Sequence, residues 1–253
     1  MKLTDALQMA PDEVVALVGG GGKTTAMFRL AREVVGSGGR AITTTTTRIF
    51  GAQIALAPAH VPAASVTRER LSAELALHRH VLVIGATDAD SGKAEGISLD
   101  LFRRVRAWFP DVCLLNEADG SRMRPFKAPA DYEPVIPADT TLVVVVVGAD
   151  VFGRSLDTAH VHRPELVATL TGVPMGTPIT PLIVARVLAD PRGGRKDVPA
   201  GARVVVLINK VEDLPDRAPA RETAERLLRD PAIHSVMLAT LRAEDPVLEV
   251  CAR

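Results

Sequence analysis

Short apolar runs recur along the chain, separated by longer segments with helical spacing. Two runs are apolar at consecutive positions, the five valines at 143–147 and the VVVLI segment at 204–208. A strand that is apolar on both faces must be covered on both faces, as in a parallel sheet between helical layers. The pattern predicts strands at Val14–Gly19, Arg40–Thr45, His80–Ala86, Val112–Ala118, Thr141–Gly148, Arg203–Asn209 and Ser235–Ala239.

The segments between these strands predict helices. In the first segment, apolar residues from Met27 to Val34 follow the i, i+3, i+4, i+7 spacing of one helical face. The predicted helices are Thr24–Val35, Arg68–His78, Ser98–Trp108, Pro181–Ala189 and Arg217–Arg229. Because strands and helices alternate, we predict an α/β fold: a doubly wound, mostly parallel sheet with helices on both faces.

Two stretches rich in proline and glycine interrupt this alternation, near residues 120–137 and 172–201. Apolar residues persist in both stretches, so neither has the composition of a flexible linker. Long ordered loops inside a compact domain are usually functional. We therefore predict a single domain over residues 1–253 with two functional loops.

Composition and charge narrow the class of protein. The chain has 253 residues, 47% of them apolar, and its 30 Lys and Arg balance its 30 Asp and Glu. A net charge of zero argues against nonspecific nucleic-acid binding, which depends on neutralising phosphates. The two cysteines, Cys113 and Cys251, have neither zinc-ligand spacing nor a disulfide framework, which suits a reducing compartment. With no signal peptide and no apolar run of roughly 20 residues, we expect a cytoplasmic protein without a nucleic-acid or membrane partner.

The strongest candidate for chemistry is a run of four glycines between the first predicted strand and the first predicted helix. Glycines allow a tight turn whose N–H groups point at an anion, and the helix adds the positive end of its dipole. With Leu17 in place of a glycine, the loop departs from G-x-x-x-x-G-K-[ST] and is similar to the shorter loop of the Mur ligases. We expect Lys23 on the β- and γ-phosphates of ATP or GTP, and Thr24 on Mg²⁺. The predicted nucleotide-binding residues of this P-loop are Gly19, Gly20, Gly21, Gly22, Lys23, Thr24 and Thr25.

A pair of carboxylates follows the fourth predicted strand. Residues two apart in an extended strand point to the same face, so Glu117 and Asp119 would project together at the strand end. A P-loop enzyme holds Mg²⁺ and positions a nucleophile at that place. We therefore predict both as metal ligands beside Thr24, and as catalytic residues beside Lys23 and Arg122. The alternative is a pair of solvated acids at a turn.

Five threonines followed by Arg48 end the second predicted strand. Hydroxyls at the carboxyl end of a parallel strand lie where such sheets bind ligands. One of Thr45, Thr46 or Thr47 is thus a candidate contact for Mg²⁺ or the γ-phosphate. The preference of threonine for strands explains the same run without any ligand.

Three cations, Arg122, Arg124 and Lys127, lie within six residues on a loop stiffened by prolines. Cations held on a stiff loop make a preorganised site for an anion. We predict that they bind a second, anionic substrate, with Arg122 also acting on charge in the transition state. The alternative is a solvated basic loop whose charge is offset by neighbouring acids.

The sequence N-K-x-E, at Asn209, Lys210 and Glu212, ends the buried strand near 204–208. In the related pattern N-K-x-D, the acid accepts hydrogen bonds from guanine. We predict that these three residues contact the base, with the choice between adenine and guanine left open. His160 and His162 could form a metal pair, but no third ligand has matching spacing, which favours a loop with local hydrogen bonds.

The chain resembles the YqeC-type family of accessory proteins for selenium-dependent molybdenum hydroxylases. Five segments carry the resemblance: VGGGGKTT, TTTTTRIF, EADGSRMRPFKAPADYEPVIP, HRPE and LINKVE. The likeness runs from Val18 to Glu212, and its most specific element is the segment at 117–137, which common NTPases lack. The resemblance implies a P-loop NTPase-like nucleotide-binding fold and a role in maturing a molybdenum-containing hydroxylase.

Three functions remain open from the sequence. The first is Mg²⁺-dependent binding and hydrolysis of ATP or GTP in support of hydroxylase maturation, with the hydroxylase or its cofactor-assembly proteins as partners. The second is a Mur-ligase-like ligase or kinase that acts on an anionic substrate. The third is a nucleotide-gated assembly protein with negligible turnover.

Overall fold

A computed structural model describes residues 1–88 and 90–253 of the protein. Its strands are β1 Val14–Gly19, β2 Ala41–Thr45, β3 Ile49–Phe50, β4 His60–Pro62, β5 His80–Ile84, β6 Thr87–Asp88, β7 Lys93–Ala94, β8 Cys113–Glu117, β9 Phe126–Lys127, β10 Leu142–Gly148, β11 Val161–His162, β12 Arg203–Asn209, β13 Ser235–Ala239 and β14 Val247–Ala252. Its α-helices are α1 Leu3–Ala6, α2 Lys23–Gly36, α3 Arg68–His78, α4 Leu99–Trp108, α5 Pro164–Thr171, α6 Pro181–Ala189 and α7 Ala218–Leu227.

Nine strands form one sheet in the order β14-β13-β12-β10-β1-β8-β2-β5-β4. Every neighbouring pair is parallel except β13 with β14. Strand β1 lies at the centre, between β10 and β8. The prediction of a mostly parallel α/β sheet is therefore confirmed, and the glycine-rich loop that follows β1 lies at the middle of its carboxyl edge.

The two faces of β10 explain why this sheet is covered on both sides. Val143, Val145 and Val147 pack in a cluster with residues of α5, α6 and α7. Val144 and Val146 point the other way and pack with residues of α1 and α2. Because both faces are apolar, both must be removed from water, so the run of valines requires helices above and below it.

The seven predicted strands and five predicted helices are all present, with small shifts at their ends. The predicted strand His80–Ala86 ends at Ile84, and the last predicted helix is shortened to Ala218–Leu227. Residues 172–201 include α6, so the loop predicted there consists of two shorter connections on either side of a core helix. In the described ranges, no helix is long and apolar enough to cross a membrane.

Candidate functional site

The glycine run forms a tight turn between β1 and α2. Gly19, Gly21 and Gly22 have φ values of +96°, +78° and +137°, a region that side chains with a Cβ rarely enter. A Cβ on Gly19 would lie 2.3 Å from the Val146 carbonyl oxygen, and one on Gly21 would lie 2.2 Å from the Gly148 nitrogen. The glycines are thus required both by the backbone conformation and by the close approach of β10.

Backbone hydrogen bonds fix this turn to its neighbours. The Gly20 N–H donates to Val146 O at 2.9 Å, and the Gly21 N–H donates to Arg124 O at 3.1 Å. The Gly19 N–H faces both carboxylate oxygens of Asp119 at 3.1 Å. Three of the four glycine N–H groups are therefore used inside the protein. The N–H groups left for an anion are those of the first turn of α2, because the first turn of a helix has no carbonyl partners for them within the helix.

Lys23 lies folded back over the turn with a side chain only 3% exposed. Its Nζ donates to Gly19 O at 2.6 Å and lies 3.3 Å from Asp119 Oδ1 and 3.7 Å from Glu117 Oε1. The lysine is thus held by the same two carboxylates that the sequence predicted as metal ligands.

Thr24 and Glu117 form the second contact between α2 and β8. The Thr24 hydroxyl donates to Glu117 Oε2 at 2.7 Å. Burial raises the pKa of Glu117, and Lys23 and Thr24 partly oppose that rise. Mg²⁺ in nucleotide sites takes hydroxyl and carboxylate oxygens together with phosphate oxygens, so this pair fits the ion.

Asp119 differs from Glu117 in its surroundings. It contacts the Gly19 N–H, Lys23 and, at 3.0 Å from its Oδ2, the Nζ of Lys127. Two cations and a backbone donor therefore surround one buried carboxylate. Of the two predicted metal ligands, Glu117 is the one that lies beside the Thr24 hydroxyl.

The three cations of the basic loop lie in three different environments. Lys127 is buried, with a side chain 1% exposed, and its Nζ also contacts Glu133 Oε2 at 2.5 Å and Gly120 O at 2.7 Å. Arg124 is half-buried, whereas Arg122 is exposed. The structure thus brings Lys127 to the carboxylates beside the glycine turn and does not bring the three cations together on an open surface.

The basic loop is nevertheless part of the wall of the glycine turn. A Cβ on Gly20 would lie 2.6 Å from Arg124 O, and the Gly148 N–H donates to Pro125 O at 2.8 Å. Arg122 and the exposed Met123 both have left-handed backbones, with φ values of +49° and +63°. A bulky residue in that region is strained, and such strain is concentrated at functional sites.

The threonines after β2 divide between structural and available hydroxyls. Thr45 donates to Glu117 O at 2.8 Å, and Thr46 donates to Val135 O at 2.7 Å. Over residues 1–88 and 90–253, the Thr47 hydroxyl makes no hydrogen bond, and it lies 3.7 Å from where a Cβ of Gly120 would be. Thr47 is therefore the candidate of the three, while Arg48 extends to Glu95 at 3.4 Å.

The N-K-x-E segment lies next to the glycine turn. Asn209 Nδ2 donates to Gly21 O at 2.8 Å, and its Oδ1 accepts from the Leu241 N–H at 3.1 Å. Lys210 contacts Asp150 Oδ2 at 2.7 Å, and the exposed Glu212 accepts from the Thr240 hydroxyl at 2.5 Å. Asn209 thus fixes the glycine turn to the segment that follows β13.

Sequence reasoning missed that segment and the residue that holds it. The Arg29 guanidinium, on α2, donates to the carbonyl oxygens of Leu241, Ala243 and Glu244 and pairs with Glu33 at 2.7 Å. Arg29 is a single charge inside an otherwise apolar stretch of α2, which is the one signal that the sequence offers for it.

The two histidines of the AHVHRPE segment do not share a partner. His160 Nδ1 lies 2.9 Å from Asp157 Oδ1, a local contact within one turn. His162 pairs with Lys127 in the register of β11 with β9. Burial and the charges of Arg163 and Lys127 lower its pKa to about 4, so it is neutral at physiological pH. Among the described residues, no group of three or more His, Cys, Asp or Glu could hold a metal ion.

Comparison with known proteins settles the family. The YqeC protein family matches residues 15–165, more than half of the chain. The uncharacterized protein YqeC of Escherichia coli (strain K12) is 32% identical over 203 residues, which cover 78% of this chain and 75% of that protein. The chain belongs to the YqeC family.

Solved structures resemble this YqeC-family protein only remotely. The hydrogenase maturation factor HypB from Archaeoglobus fulgidus is 13% identical, with a TM-score of 0.41 over 95% of this chain and 87% of that one. Chloroplast FtsY from Physcomitrella patens is 12% identical, with a TM-score of 0.45 over 98% of this chain and 64% of that one.

The extent of the family match divides the site in two. Residues 15–165 of the YqeC-family protein include the glycine turn, both carboxylates and the basic loop. The N-K-x-E segment lies outside that range, on β12 and the turn after it. After the parts of a nucleotide that the sequence predicts for each, we call one part the phosphate end and the other the base end. The phosphate end is formed by Gly19–Gly22, Lys23, Thr24, Glu117, Asp119 and Lys127, and the base end by Asn209, Lys210, Glu212, Thr240 and Leu241.

Proposed function

We propose that this YqeC-family protein binds a nucleoside triphosphate with Mg²⁺ at the carboxyl end of β1 and hydrolyses it. The observation that carries the proposal is the convergence of Lys23, Thr24 and Glu117 at the N-terminus of α2. A cation for phosphate, a hydroxyl and carboxylate for Mg²⁺, and free N–H groups for an anion are the parts that phosphoryl transfer needs.

The residues of the phosphate end have separate tasks. Lys23 leaves Gly19 O and contacts the β- and γ-phosphates, while the N–H groups of the first turn of α2 donate to phosphate oxygens. Thr24 and Glu117 hold Mg²⁺, which when bound neutralises the charge that develops on the phosphates. The Thr47 hydroxyl is available to orient the attacking water, and the exposed Arg122 to meet charge at the γ-phosphate.

We propose that the base end prefers guanine to adenine. Guanine presents N–H donors at N1 and at its exocyclic amine, whereas adenine presents an acceptor at N1. Glu212 is an exposed carboxylate at the end of β12, and a carboxylate accepts from those two donors. We therefore propose GTP as the preferred nucleotide, with ATP as the weaker ligand.

The biological role that we propose rests on the family resemblance. We propose that turnover supports the maturation of a selenium-dependent molybdenum hydroxylase in the cytoplasm, with that hydroxylase or its cofactor-assembly proteins as the partner. The ligase or kinase alternative needs an open anion site, and the burial of Lys127 removes one of its three cations. This favours hydrolysis of the nucleotide over transfer to a second substrate.

Isothermal titration with MgGTP, MgATP and the baseless ligand magnesium tripolyphosphate tests the proposal, together with phosphate release from both nucleotides. We expect saturable binding of all three ligands, tighter binding of MgGTP than of MgATP, and release of phosphate without a second substrate. Release only after an anionic substrate is added would support the ligase. Binding without any release would support the nucleotide-gated assembly protein, and no binding would refute the proposal.

A further inference from the structure

Two buried lysines contact the Asp119 carboxylate, one at each of its oxygens. Lys23 Nζ lies 3.3 Å from its Oδ1, and Lys127 Nζ lies 3.0 Å from its Oδ2. The carboxylate is 2% exposed, and the Gly19 N–H also donates to it. A buried carboxylate requires such compensation, because an unpaired charge in the interior is strongly unfavourable.

The two lysines differ in what holds them. Lys23 donates to Gly19 O and lies 3.7 Å from Glu117 Oε1, and it belongs to the proposed P-loop, where a triphosphate competes for its charge. Lys127 is held by Gly120 O and by Glu133, which in turn pairs with Arg163 at 2.8 Å. Lys127 lies on β9, which pairs with β11. The Lys23 side chain can therefore move to a ligand, whereas Lys127 is held in place by its own partners.

When the Lys23 side chain moves to the phosphates, Asp119 loses one of its two neighbouring cations. With Lys127 in place, Asp119 keeps a counter-ion and its hydrogen bond from the Gly19 N–H, so the turn that carries the binding site keeps its shape. Without Lys127, Lys23 would be the only cation on Asp119, and the carboxylate and the phosphates would compete for it.

We propose that Lys127 is a positioning residue: the permanent counter-ion of Asp119 that allows Lys23 to move to the phosphates. This inference rests on the proposed nucleotide binding and replaces the role predicted for Lys127 as a contact of a second anionic substrate. Glu133 and Arg163 complete the assignment, because they hold Lys127 against Asp119.

The test is the affinity of Lys127→Met for MgGTP, MgATP and magnesium tripolyphosphate, each also measured without Mg²⁺. Methionine matches the length of lysine without its charge. We expect affinity for all three ligands to fall at least about tenfold, since breaking a buried ion pair by removing one partner is strongly unfavourable. Lys127→Arg, which keeps the charge, should recover most of the affinity. The loss should persist without Mg²⁺, because the competition concerns Lys23 and not the metal.

Two comparisons separate positioning from general destabilisation. Lys196→Met removes a cation that donates to Asp131 O and Glu133 O on the same loop and has no contact with Asp119, so ligand affinity should not change. Asp119→Asn removes the charge for which the phosphates compete. In that background, adding Lys127→Met should change affinity by less than about twofold. A structural role for Lys127 predicts the same loss in both backgrounds.

The outcomes are distinguishable from failure of the proposed function. If the wild-type protein binds none of the three ligands, the proposed function fails. If the wild type binds and Lys127→Met binds equally well, or loses equal affinity in the Asp119→Asn background, the positioning role is wrong and nucleotide binding stands. If Lys127→Met does not fold, Lys127→Gln, which keeps a donor for Glu133 and Gly120 O, provides the same comparison.

Discussion

The phosphate end and the base end of the candidate site are built on different principles. At the phosphate end, the ionisable side chains of Lys23, Glu117, Asp119 and Lys127 are buried and in contact with one another. At the base end, Asn209 is buried and bonds to backbone groups of Gly21 and Leu241, and Glu212, the charged side chain that we propose contacts the base, is exposed. The ionisable groups of the phosphate end are thus shielded from water, whereas Glu212 at the base end is exposed to it.

This difference predicts how affinity is divided between the two ends. Interactions in a buried site are stronger than the same interactions in water, because water competes less for the charges. An exposed carboxylate exchanges one hydrogen bond to water for one to the base and gains little. We therefore expect tight binding of the triphosphate and modest discrimination between bases.

The largest expected effect comes from Lys23→Met. Affinity for MgGTP, MgATP and magnesium tripolyphosphate should fall at least about a hundredfold, because a charge-assisted contact to phosphate inside a buried site is lost. Isothermal titration measures the change, with Lys196→Met as the control of equal side-chain change. Retention of wild-type affinity for tripolyphosphate would show that Lys23 is not the phosphate ligand.

The structure changes what this substitution does to the unliganded protein. A P-loop lysine exposed to solvent could be removed without loss of stability, but Lys23 is 3% exposed and lies between two carboxylates. We therefore expect the melting temperature of unliganded Lys23→Met to fall as well. Affinity must be compared at a temperature at which both proteins are folded.

A smaller effect, confined to the metal, is expected from Glu117→Gln. Glutamine keeps the shape of the side chain and removes its charge, so the ratio of affinities with and without Mg²⁺ should fall by about tenfold. Because burial raises the pKa of Glu117, the unliganded protein should lose less stability in this variant than in Lys23→Met. An unchanged Mg²⁺ dependence would return Glu117 to the alternative of an acid without a metal role.

Much of the phosphate end follows from local sequence. Gly19–Gly22 and Lys23 follow a buried strand and open an amphipathic helix, a pattern read within ten residues. The identity of Glu117 and Asp119 also follows from their place after an apolar run. The different surroundings of these two carboxylates do not follow from local sequence. Thr24 and Lys127 contact them because of the order of the strands in the sheet, and the alternation of strands and helices does not determine that order.

The base end and the edges of the fold were harder to predict. Arg29 and Leu241 meet across more than two hundred residues, and the hydrogen bond between them leaves no periodic pattern. Helix α5 begins with Pro164 and ends at Thr171, and Gly172 follows it in the left-handed region. These are signals of a helix, but its short length obscured them. Strand β14 is an antiparallel edge strand, exposed along one face, so its sequence lacks the continuous apolar run of the central strands.

Base discrimination should respond weakly and selectively to Glu212→Gln. The carboxylate is replaced by an amide that offers a donor as well as an acceptor, so the preference for MgGTP over MgATP should narrow by about threefold to tenfold. Affinity for magnesium tripolyphosphate should not change, since that ligand has no base. Equal losses for all three ligands would show that Glu212 acts on the phosphate end, and no change at all would remove it from the base site.

The smallest expected effect concerns the stability of the folded protein at acid pH. His80 lies beneath α2, with its ring 6.0 Å from that of Phe28 and its Nε2 3.0 Å from the Thr43 hydroxyl. Burial, reinforced by the nearby charge of Arg32, lowers its pKa from 6.5 to about 4. Below pH 6.5 the His80 imidazole therefore binds a proton in the unfolded chain but not in the folded protein, and the free energy of unfolding falls progressively toward pH 4.

Between about pH 7.5 and about pH 5.5, this histidine should cost about 1 kcal/mol of the free energy of unfolding. Urea unfolding of the wild type and of His80→Gln at both pH values isolates the term, because glutamine keeps a polar partner for Thr43 but does not titrate. The variant should lose about 1 kcal/mol less on acidification than the wild type does. Parallel losses in the two proteins would show that His80 takes up its proton in the folded state as readily as in the unfolded chain.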